Sequence, residues 1–232
     1  MHPKRAKFCA LSWIGGLIAC LAIPAGATVI SGSVAIPPSD PTAQFIKLTV
    51  PLSNPFGPPN SVGNDTFQSP DLYGFDESQN TTVTGSPLVL DEFSGLSTLP
   101  LGTVVASHYV FFDPTSGHVR GVVNFDSRVL GILTTTAHLA ASDYLANTGV
   151  NYLNPSARGL EAGDSVTISG PNQILFDTFA STPGDYVRVL TEFSPAAAVP
   201  EPDTLWLVAS GLFLLWVRRP CSPRGVAFGC ST

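Results

Sequence analysis

Two apolar segments, one near each end of the chain, constrain its fold more than any other feature. Residues 8–23 and residues 205–217 are apolar, so averages over the whole chain describe neither the ends nor the middle. The 172 residues from Thr28 to Val199 are left for a folded domain. That length suits one domain with its own hydrophobic core. All four cysteines lie outside this stretch, so its sequence predicts neither a disulfide framework nor a thiolate metal site.

The charge of the middle stretch argues against one class of partner. It contains five basic and fifteen acidic residues, a balance of −10, whereas the whole chain carries −6. An acidic surface repels phosphate backbones, so we expect no nucleic-acid binding. Gly, Pro and small polar residues dominate the stretch, which has one lysine and no methionine. This composition favours a loop-rich β domain over a helical bundle.

The N-terminal segment has the three parts of a secretory signal peptide. Basic residues at positions 4, 5 and 7 precede the apolar stretch, Pro24 interrupts it, and Ala25 and Ala27 supply the small residues that signal peptidase requires. We predict a signal helix within residues 1–27, export through the Sec machinery and cleavage after Ala27. A second interpretation stays open, because residues 17–20 resemble the lipobox of bacterial lipoproteins. Cleavage there would leave a lipidated Cys20 as the first residue.

The C-terminal segment combines a rigid polar joint, an apolar run and a basic stop. Pro200-Glu201-Pro202 is followed by the uncharged residues 204–217 and then by Arg218 and Arg219. A helix of that length spans about 21 Å, less than the roughly 30 Å of membrane hydrocarbon. The arginines extend its reach by snorkelling and act as a cytoplasmic stop. We predict a transmembrane helix over 204–217 that anchors the chain transiently, with residues 220–232 as a cytoplasmic tail.

The order of these three parts resembles the PEP-CTERM sorting signal of Gram-negative bacteria. The resemblance covers about the last thirty residues and maps the recognised motif onto Pro200, Glu201 and Pro202. It implies recognition by an exosortase, a membrane-embedded cysteine peptidase, in bacteria that make exopolysaccharide. We therefore assign residues 196–219 to the sorting signal and residues 28–195 to the exported domain. The chain departs from the family pattern because thirteen residues follow the arginines, where family members end within a few.

The middle stretch contains short β-branched and aromatic segments separated by turn residues. The predicted strands are 45–50, 88–93, 103–112, 119–125, 128–134, 165–169, 174–179 and 186–193, and residues 137–145 fit a short helix. Turn residues at 113–117 and at 170–173 predict two hairpins. We predict an all-β domain, an antiparallel β-sandwich of jelly-roll-like form with one short helix.

Parts of this stretch also resemble a block in one group of exported PEP-CTERM proteins. The resemblance covers roughly half of the domain and rests on five segments, which are residues 108–114, 121–126, 129–132, 139–145 and 185–189. It implies a shared β-rich exported domain and carries no activity with it.

The histidines and paired carboxylates of the middle stretch do not indicate a catalytic centre. No Gly-x-Ser-x-Gly pattern occurs. His108 alternates with apolar residues as a satisfied sheet histidine does, His118 follows a turn glycine and is expected in solvent, and His138 is ambiguous. The acidic neighbours at 76–77 and 91–92 point to opposite faces of a strand, and we interpret them as acidic surface.

No metal-ligand spacing appears either. Zinc needs His and Cys spacings that the stretch lacks, and neither phosphate loops nor dinucleotide glycine motifs occur. We expect no cofactor, with Ca²⁺ as the one ion that the acidic loops suit through their hard oxygens. Those loops contain Asn64-Asp65, Asp71 and Asp76-Glu77.

Two functions from different classes stay open. The first is a non-catalytic cell-surface or matrix protein, sorted by an exosortase and associated with exopolysaccharide or biofilm. Tyr73, Phe75 and Tyr152 are its candidates for stacking on sugars. The second is a secreted hydrolase of polysaccharide or protein, which needs a cleft with two carboxylates within catalytic distance. We expect the first, located transiently in the inner membrane and then at the cell surface or outside the cell.

Overall fold

The computed structural model of the chain describes residues 28–48 and 60–192. The predicted signal helix, transmembrane helix and tail lie outside these ranges. Within the described ranges, no helix is both long enough and apolar enough to cross a membrane. The strands of this part are β1 Val29–Val34, β2 Phe45–Lys47, β3 Ser61–Val62, β4 Leu72–Asp76, β5 Thr81–Thr82, β6 Leu88–Val89, β7 Glu92–Phe93, β8 Thr98–Leu99, β9 Val104–Phe112, β10 Ser116–Phe125, β11 Val129–Leu133, β12 Asn151–Tyr152, β13 Ser165–Gly170, β14 Gln173–Ser181 and β15 Asp185–Glu192. Its helices are α1 Thr136–Ala141 and two 3-10 helices, Asp143–Leu145 and Pro155–Ala157.

Two sheets form the centre of the fold. The outer sheet contains β1, β10, β14 and β13 in that order, and all its pairs are antiparallel. The inner sheet contains β2, β4, β9, β15, β11 and β7 in that order, and β5 joins it beside β9. Because β2 and β4 run parallel while the other inner-sheet pairs are antiparallel, this sheet is mixed. The fold is therefore predominantly β, as predicted, but not purely antiparallel.

The inner sheet is buried on both faces. Successive strand residues point to opposite faces, so β9 sends Val110 and Phe112 towards the outer sheet and Tyr109 and Phe111 away from it. The second face is closed by a cover layer made of α1, the first 3-10 helix and the short β3–β12 and β6–β8 ladders. Burial on two sides explains why every residue of β15 except Glu192 is buried, on whichever face of the strand it lies.

The predicted hairpin around residues 113–117 is wrong. β9 and β10 follow each other in the chain but belong to different sheets, with β9 between β4 and β15 and β10 between β1 and β14. The connection 113–115 arches from one sheet to the other, so the two strands meet through side chains. Turn residues show that a chain reverses, but they do not show whether the flanking strands then pair by hydrogen bonds.

Other sequence predictions hold. β13 and β14 form the second predicted hairpin, with Ile168 opposite Ile174. The predicted helical range 137–145 is occupied by two short helices, α1, which begins one residue earlier at Thr136, and the first 3-10 helix, which ends at Leu145. The predicted strand 88–93 divides into β6, which pairs with β8, and β7, which pairs with β11.

Both ends of the domain lie at one pole of the fold, beside the turn between β10 and β11. The carbonyl of Thr28 accepts a hydrogen bond from the Asp126 amide at 3.2 Å, and the Glu192 amide donates to the Arg128 carbonyl at 2.8 Å. We call this end, defined by Thr28, residues 126–128 and Glu192, the terminal pole. The connection 113–115 lies at the distal pole, one length of β10 away, which is about 33 Å for ten residues.

Candidate functional site

The processing residues predicted from the sequence lie outside the described residues. They are Cys20, Ala25 and Ala27 at one end, and Pro200, Glu201, Pro202, Arg218 and Arg219 at the other. The candidate sites described below all lie within the domain, at residues 28–48 and 60–192.

A buried ion pair joins Glu77 to Arg188. The Arg188 Nε donates to Glu77 Oε2 at 2.6 Å and its Nη2 donates to Oε1 at 2.8 Å, and neither side chain has exposed surface. The hydroxyls of Ser107 and Tyr152 donate to the same carboxylate, each at 2.6 Å. Each carboxylate oxygen thus accepts two hydrogen bonds. Since no lone pair is left for a substrate proton, this carboxylate is arranged for structure and not for acid–base chemistry.

The same arginine holds the cover layer against the inner sheet. Its Nη1 donates to the Leu139 carbonyl at 3.1 Å and to Ser142 Oγ at 2.6 Å, both at the end of α1. Burial alone would lower the pKa of Arg188, but the Glu77 carboxylate outweighs burial and holds that pKa above its ordinary value. The interpretation of Glu77 as acidic surface is therefore wrong. A charged residue that interrupts an apolar strand, as Arg188 does in β15, was the sequence signal for its buried partner.

Asp76 faces the other side of the inner sheet, as the predicted alternation requires. His108 Nδ1 lies 2.9 Å from Asp76 Oδ1, and its Nε2 lies 3.1 Å from Thr191 Oγ1. Burial would raise the pKa of Asp76, but His108, the Val29 amide and Lys47 together hold it below its ordinary value. His108 has no exposed surface and both ring nitrogens have partners, so it is the satisfied sheet histidine that the sequence predicted.

The ambiguous His138 pairs with a second carboxylate. Its Nδ1 lies 2.7 Å from Asp91 Oδ1, and the amides of Thr134 and Thr135 donate to Asp91 Oδ2 at 2.7 and 3.0 Å. Burial would raise the pKa of Asp91, and these donors more than offset burial, so the pKa is lowered. The group fixes the start of α1 to the segment between β6 and β7.

Two of the three rings proposed for sugar stacking do not reach the surface. Tyr73 and Phe75 are 3% and 0% exposed and pack in the core between the inner sheet and the cover layer. The stacking hypothesis is wrong for these two residues, because their side chains belong to that core. Tyr152 is half-buried, and its hydroxyl is engaged by Glu77.

The solvent-facing side of the outer sheet places a different ring in the open. Phe179 on β14 is 62% exposed and stands opposite His118 on β10, with 6.5 Å between the ring centroids. On the same face, Asp177 Oδ1 lies 2.7 Å from His118 Nε2, and its Oδ2 lies 3.5 Å from Arg120 Nε. His118 is half-exposed, as the sequence predicted, but it is also held by a carboxylate. Next to it, at the distal pole, a cavity of about 370 Å³ is lined by residues that include Asp40, Ser69 and His118.

A row of amides and hydroxyls crosses the same face nearer the terminal pole. Gln173 Nε2 donates to Asn124 Oδ1 at 2.8 Å, and Asn124 Nδ2 donates to Ser31 Oγ at 3.0 Å. Ser169 Oγ donates to Gln173 Oε1 at 3.0 Å. These four side chains come from β13, β14, β10 and β1, so the row spans the sheet and fixes the orientation of each amide. We call Phe179, His118, Asp177, Arg120 and this row the outer face.

A signal for the outer face was present in the sequence. In β14 the residues Ile174, Phe176 and Ala180 are buried, whereas Phe179 falls in the alternate set with Gln173, Leu175 and Asp177. An aromatic residue in the set that faces away from the core is a candidate for exposure, because that side of the strand meets water.

The acidic loops do not assemble into a metal centre. Among residues 28–48 and 60–192, no group of three or more His, Cys, Asp or Glu side chains is arranged to hold a metal ion. Asp71 accepts hydrogen bonds from the Gln44 amide at 2.9 Å and from Ser69 Oγ at 2.7 Å. Asp76 and Glu77 are engaged as described above.

Comparison with known protein families identifies a sorting motif near the C-terminal end of the chain. Residues 198–219 match the family model of the PEP-CTERM protein-sorting motif. The chain therefore carries a C-terminal PEP-CTERM sorting motif. Such a motif implies processing by an exosortase and export through the membrane to the cell surface. No curated protein and no solved structure matches the chain.

Proposed function

We propose that the exported domain is a non-catalytic polysaccharide-binding module of the cell surface or matrix, associated with exopolysaccharide. One observation carries the proposal: Phe179 exposes 62% of its surface on a sheet face that also carries charged and amide side chains. The apolar face of a sugar ring stacks on an aromatic ring, and its hydroxyls need donors and acceptors at fixed positions. Asp177, Arg120 and the amide row supply such groups on the same face.

The negative net charge of the domain favours a neutral glycan over an anionic one as the ligand. The balance of −10 over residues 28–199 disfavours a polyanion. Arg120 is paired with Asp177 and does not present an isolated positive charge.

The route to the surface forms the second part of the proposal. Signal peptidase releases the N-terminus, residues 204–217 hold the chain in the inner membrane, and an exosortase then recognises Pro200-Glu201-Pro202 and frees the domain. We also infer a sandwich of jelly-roll-like connection. Its support is that the chain changes sheets from β9 to β10, from β10 to β11 and from β14 to β15.

The hydrolase alternative has weaker support. A glycosidase needs two carboxylates about 5–10 Å apart across a cleft, one of them free to donate a proton. Glu77, Asp76 and Asp91 are each held by a cation or a histidine in the described domain. The proposal of a binding module requires neither a metal nor a cofactor.

Affinity electrophoresis in gels that contain the host's exopolysaccharide tests the proposal. We expect Phe179→Ala to weaken binding about tenfold, since one stacked ring contributes roughly 1–1.5 kcal/mol. Leu101→Ala is the matched control, because Leu101 is 54% exposed but belongs to the cover side of the fold. If the two variants migrate alike and both as the wild type does, the outer face is not the binding surface.

A further inference from the structure

Four exposed apolar side chains lie on segments near the terminal pole. Ile30 follows Val29 on β1 and is 56% exposed. Phe93 and Leu96 flank Ser94, whose amide donates to the Leu130 carbonyl at 3.1 Å, and they are 46% and 63% exposed. Val104 is 42% exposed and precedes Val105, which stands opposite Glu192 in the inner sheet.

We call these four residues the apolar rim. Three of them lie in the two sheets, and Leu96 lies in the connection that follows β7. Ile30 lies on the outer sheet, Phe93 at the β7 edge of the inner sheet and Val104 at the start of its central strand β9. Leu96 lines a cavity with Arg128, which belongs to the turn that defines the pole. A single exposed apolar group needs no explanation, but four of the nine large exposed apolar side chains of the described residues lie near the pole where both chain ends leave the domain.

The length of chain beyond Glu192 limits where this pole can be. Twelve residues, 193–204, separate it from the apolar run that begins at Leu205. A fully extended chain advances at most about 3.4 Å per residue, so these residues reach no further than about 40 Å. An anchored domain therefore stays within roughly its own length of the bilayer, with the terminal pole as the end to which the tether is attached.

We propose that the terminal pole is a membrane-docking surface, on which Ile30, Phe93, Leu96 and Val104 contact the interfacial region of the bilayer while the chain is still anchored. The proposal rests on the anchoring step of the proposed function. The tether keeps the rim at a high effective concentration near the lipid, so weak apolar contacts suffice. Once the tether is cut, the acidic domain has no attraction to anionic lipid and leaves.

Docking also sets the orientation of the domain. With the terminal pole on the lipid, the distal pole and Phe179 point away from the membrane.

Tryptophan fluorescence tests the docking surface, because residues 28–192 contain no tryptophan. The chain from Thr28 to Thr232, with Trp206 and Trp216 replaced by Phe, is reconstituted into phosphatidylcholine vesicles that contain brominated lipid. Leu96→Trp places the probe on the rim, and Phe179→Trp is the matched control, since these residues are 63% and 62% exposed. We expect brominated lipid to quench Leu96→Trp at least threefold more strongly than Phe179→Trp.

Removal of the anchor and a flotation assay distinguish docking of the terminal pole from anchoring of the chain. Cleavage at a protease site inserted after Val199 should abolish the quenching of Leu96→Trp and release the domain from the vesicles. If the uncleaved chain floats with the vesicles but both probes are quenched equally, the chain is anchored and the docking proposal is wrong. If the uncleaved chain does not float, the anchoring step is wrong and the docking proposal falls with it.

Discussion

At the scale of the residue, the balance between burial and hydrogen-bond donors sets the pKa of each carboxylate. Asp185 is 2% exposed on the side of β15 that faces the outer sheet, and burial raises its pKa to about 7, with Asp164 and Glu161 adding to the effect. Burial likewise raises the pKa of Asp113 to about 6, although the Phe67 amide donates to it at 3.1 Å. Asp76 and Asp91 behave in the opposite way, because their hydrogen-bond donors and histidines favour the charged form.

The raised pKa values of Asp185 and Asp113 predict that the folded state becomes less stable as pH rises. The folded state keeps the Asp185 and Asp113 protons up to about pH 7 and 6, whereas the unfolded chain loses them near 3.8. The unfolded state therefore binds fewer protons between these values, and the free energy of unfolding decreases as pH rises from about 4 to about 7. We expect a melting temperature at least about 5 °C lower at pH 8 than at pH 5. Circular dichroism on the released domain measures it.

Asp185→Asn is the variant that isolates this effect. An amide has the same shape and no charge to bury, so the difference between pH 5 and pH 8 should shrink by about half. An unchanged difference would assign the pH dependence to other groups.

At the scale of the element, a single ion pair connects three parts of the fold. Arg188 on β15 bonds Glu77 just after β4 and the end of α1, and its guanidinium lies 5.9 Å from the centroid of the Tyr109 ring on β9. The cover layer has little regular hydrogen bonding to the inner sheet, so its position depends on apolar contact and on this charge. Breaking a buried pair by removing one partner leaves the other charge buried and unpaired.

Arg188→Met should therefore lower the free energy of unfolding by about 3–5 kcal/mol, and the double variant with Glu77→Gln should recover part of the loss. Urea denaturation followed by circular dichroism gives both values. Arg128→Met is the control, since the Arg128–Glu192 pair is about half exposed on both sides, and exposed pairs contribute less than about 1 kcal/mol. Equal effects of Arg188→Met and Arg128→Met would contradict the role given to the buried pair.

The sequence predicts some elements better than others. The reason is the distance along the chain between the segments that contact each other. The β13–β14 hairpin and the helix after Thr135 depend on neighbours within about ten residues, and both were predicted. The partners of β9 lie far away, since Val110 pairs with Gly74 on one side and with Val187 on the other. No local pattern encodes those partners, so the connection at residues 113–115 looked like a hairpin turn.

At the scale of the whole molecule, the domain and its sorting signal are close together. The last residue of β15 is Glu192, and seven residues, 193–199, separate it from Pro200. Because proline disfavours a helix, the sequence predicts an extended motif, the form that a peptidase cleft accepts. Processing by an exosortase would then bring the folded domain close to the membrane surface.

Replacing Pro200, Glu201 and Pro202 with alanine should leave the protein in the inner membrane, because the peptidase loses both the carboxylate and the extended backbone. Fractionation of the native host, with mass mapping of both termini, measures the outcome. Pro195→Ala is the control, since it lies outside the matched residues 198–219 and should be released as the wild type is. Release of the triple variant at the wild-type rate would contradict recognition through this motif.

The sequence by itself predicted the export and sorting signals of this protein and the β class of its domain. Processing enzymes recognise signal and sorting segments as short linear sequences, and strand propensity depends on neighbouring residues. Both can therefore be predicted without knowledge of the tertiary structure. Only the tertiary structure decided that Glu77 meets Arg188 across 111 residues, that Phe179 stands in solvent and that both chain ends leave at one pole. Each of these depends on which distant strands pair, and pairing is settled by the packing of two cores against one sheet.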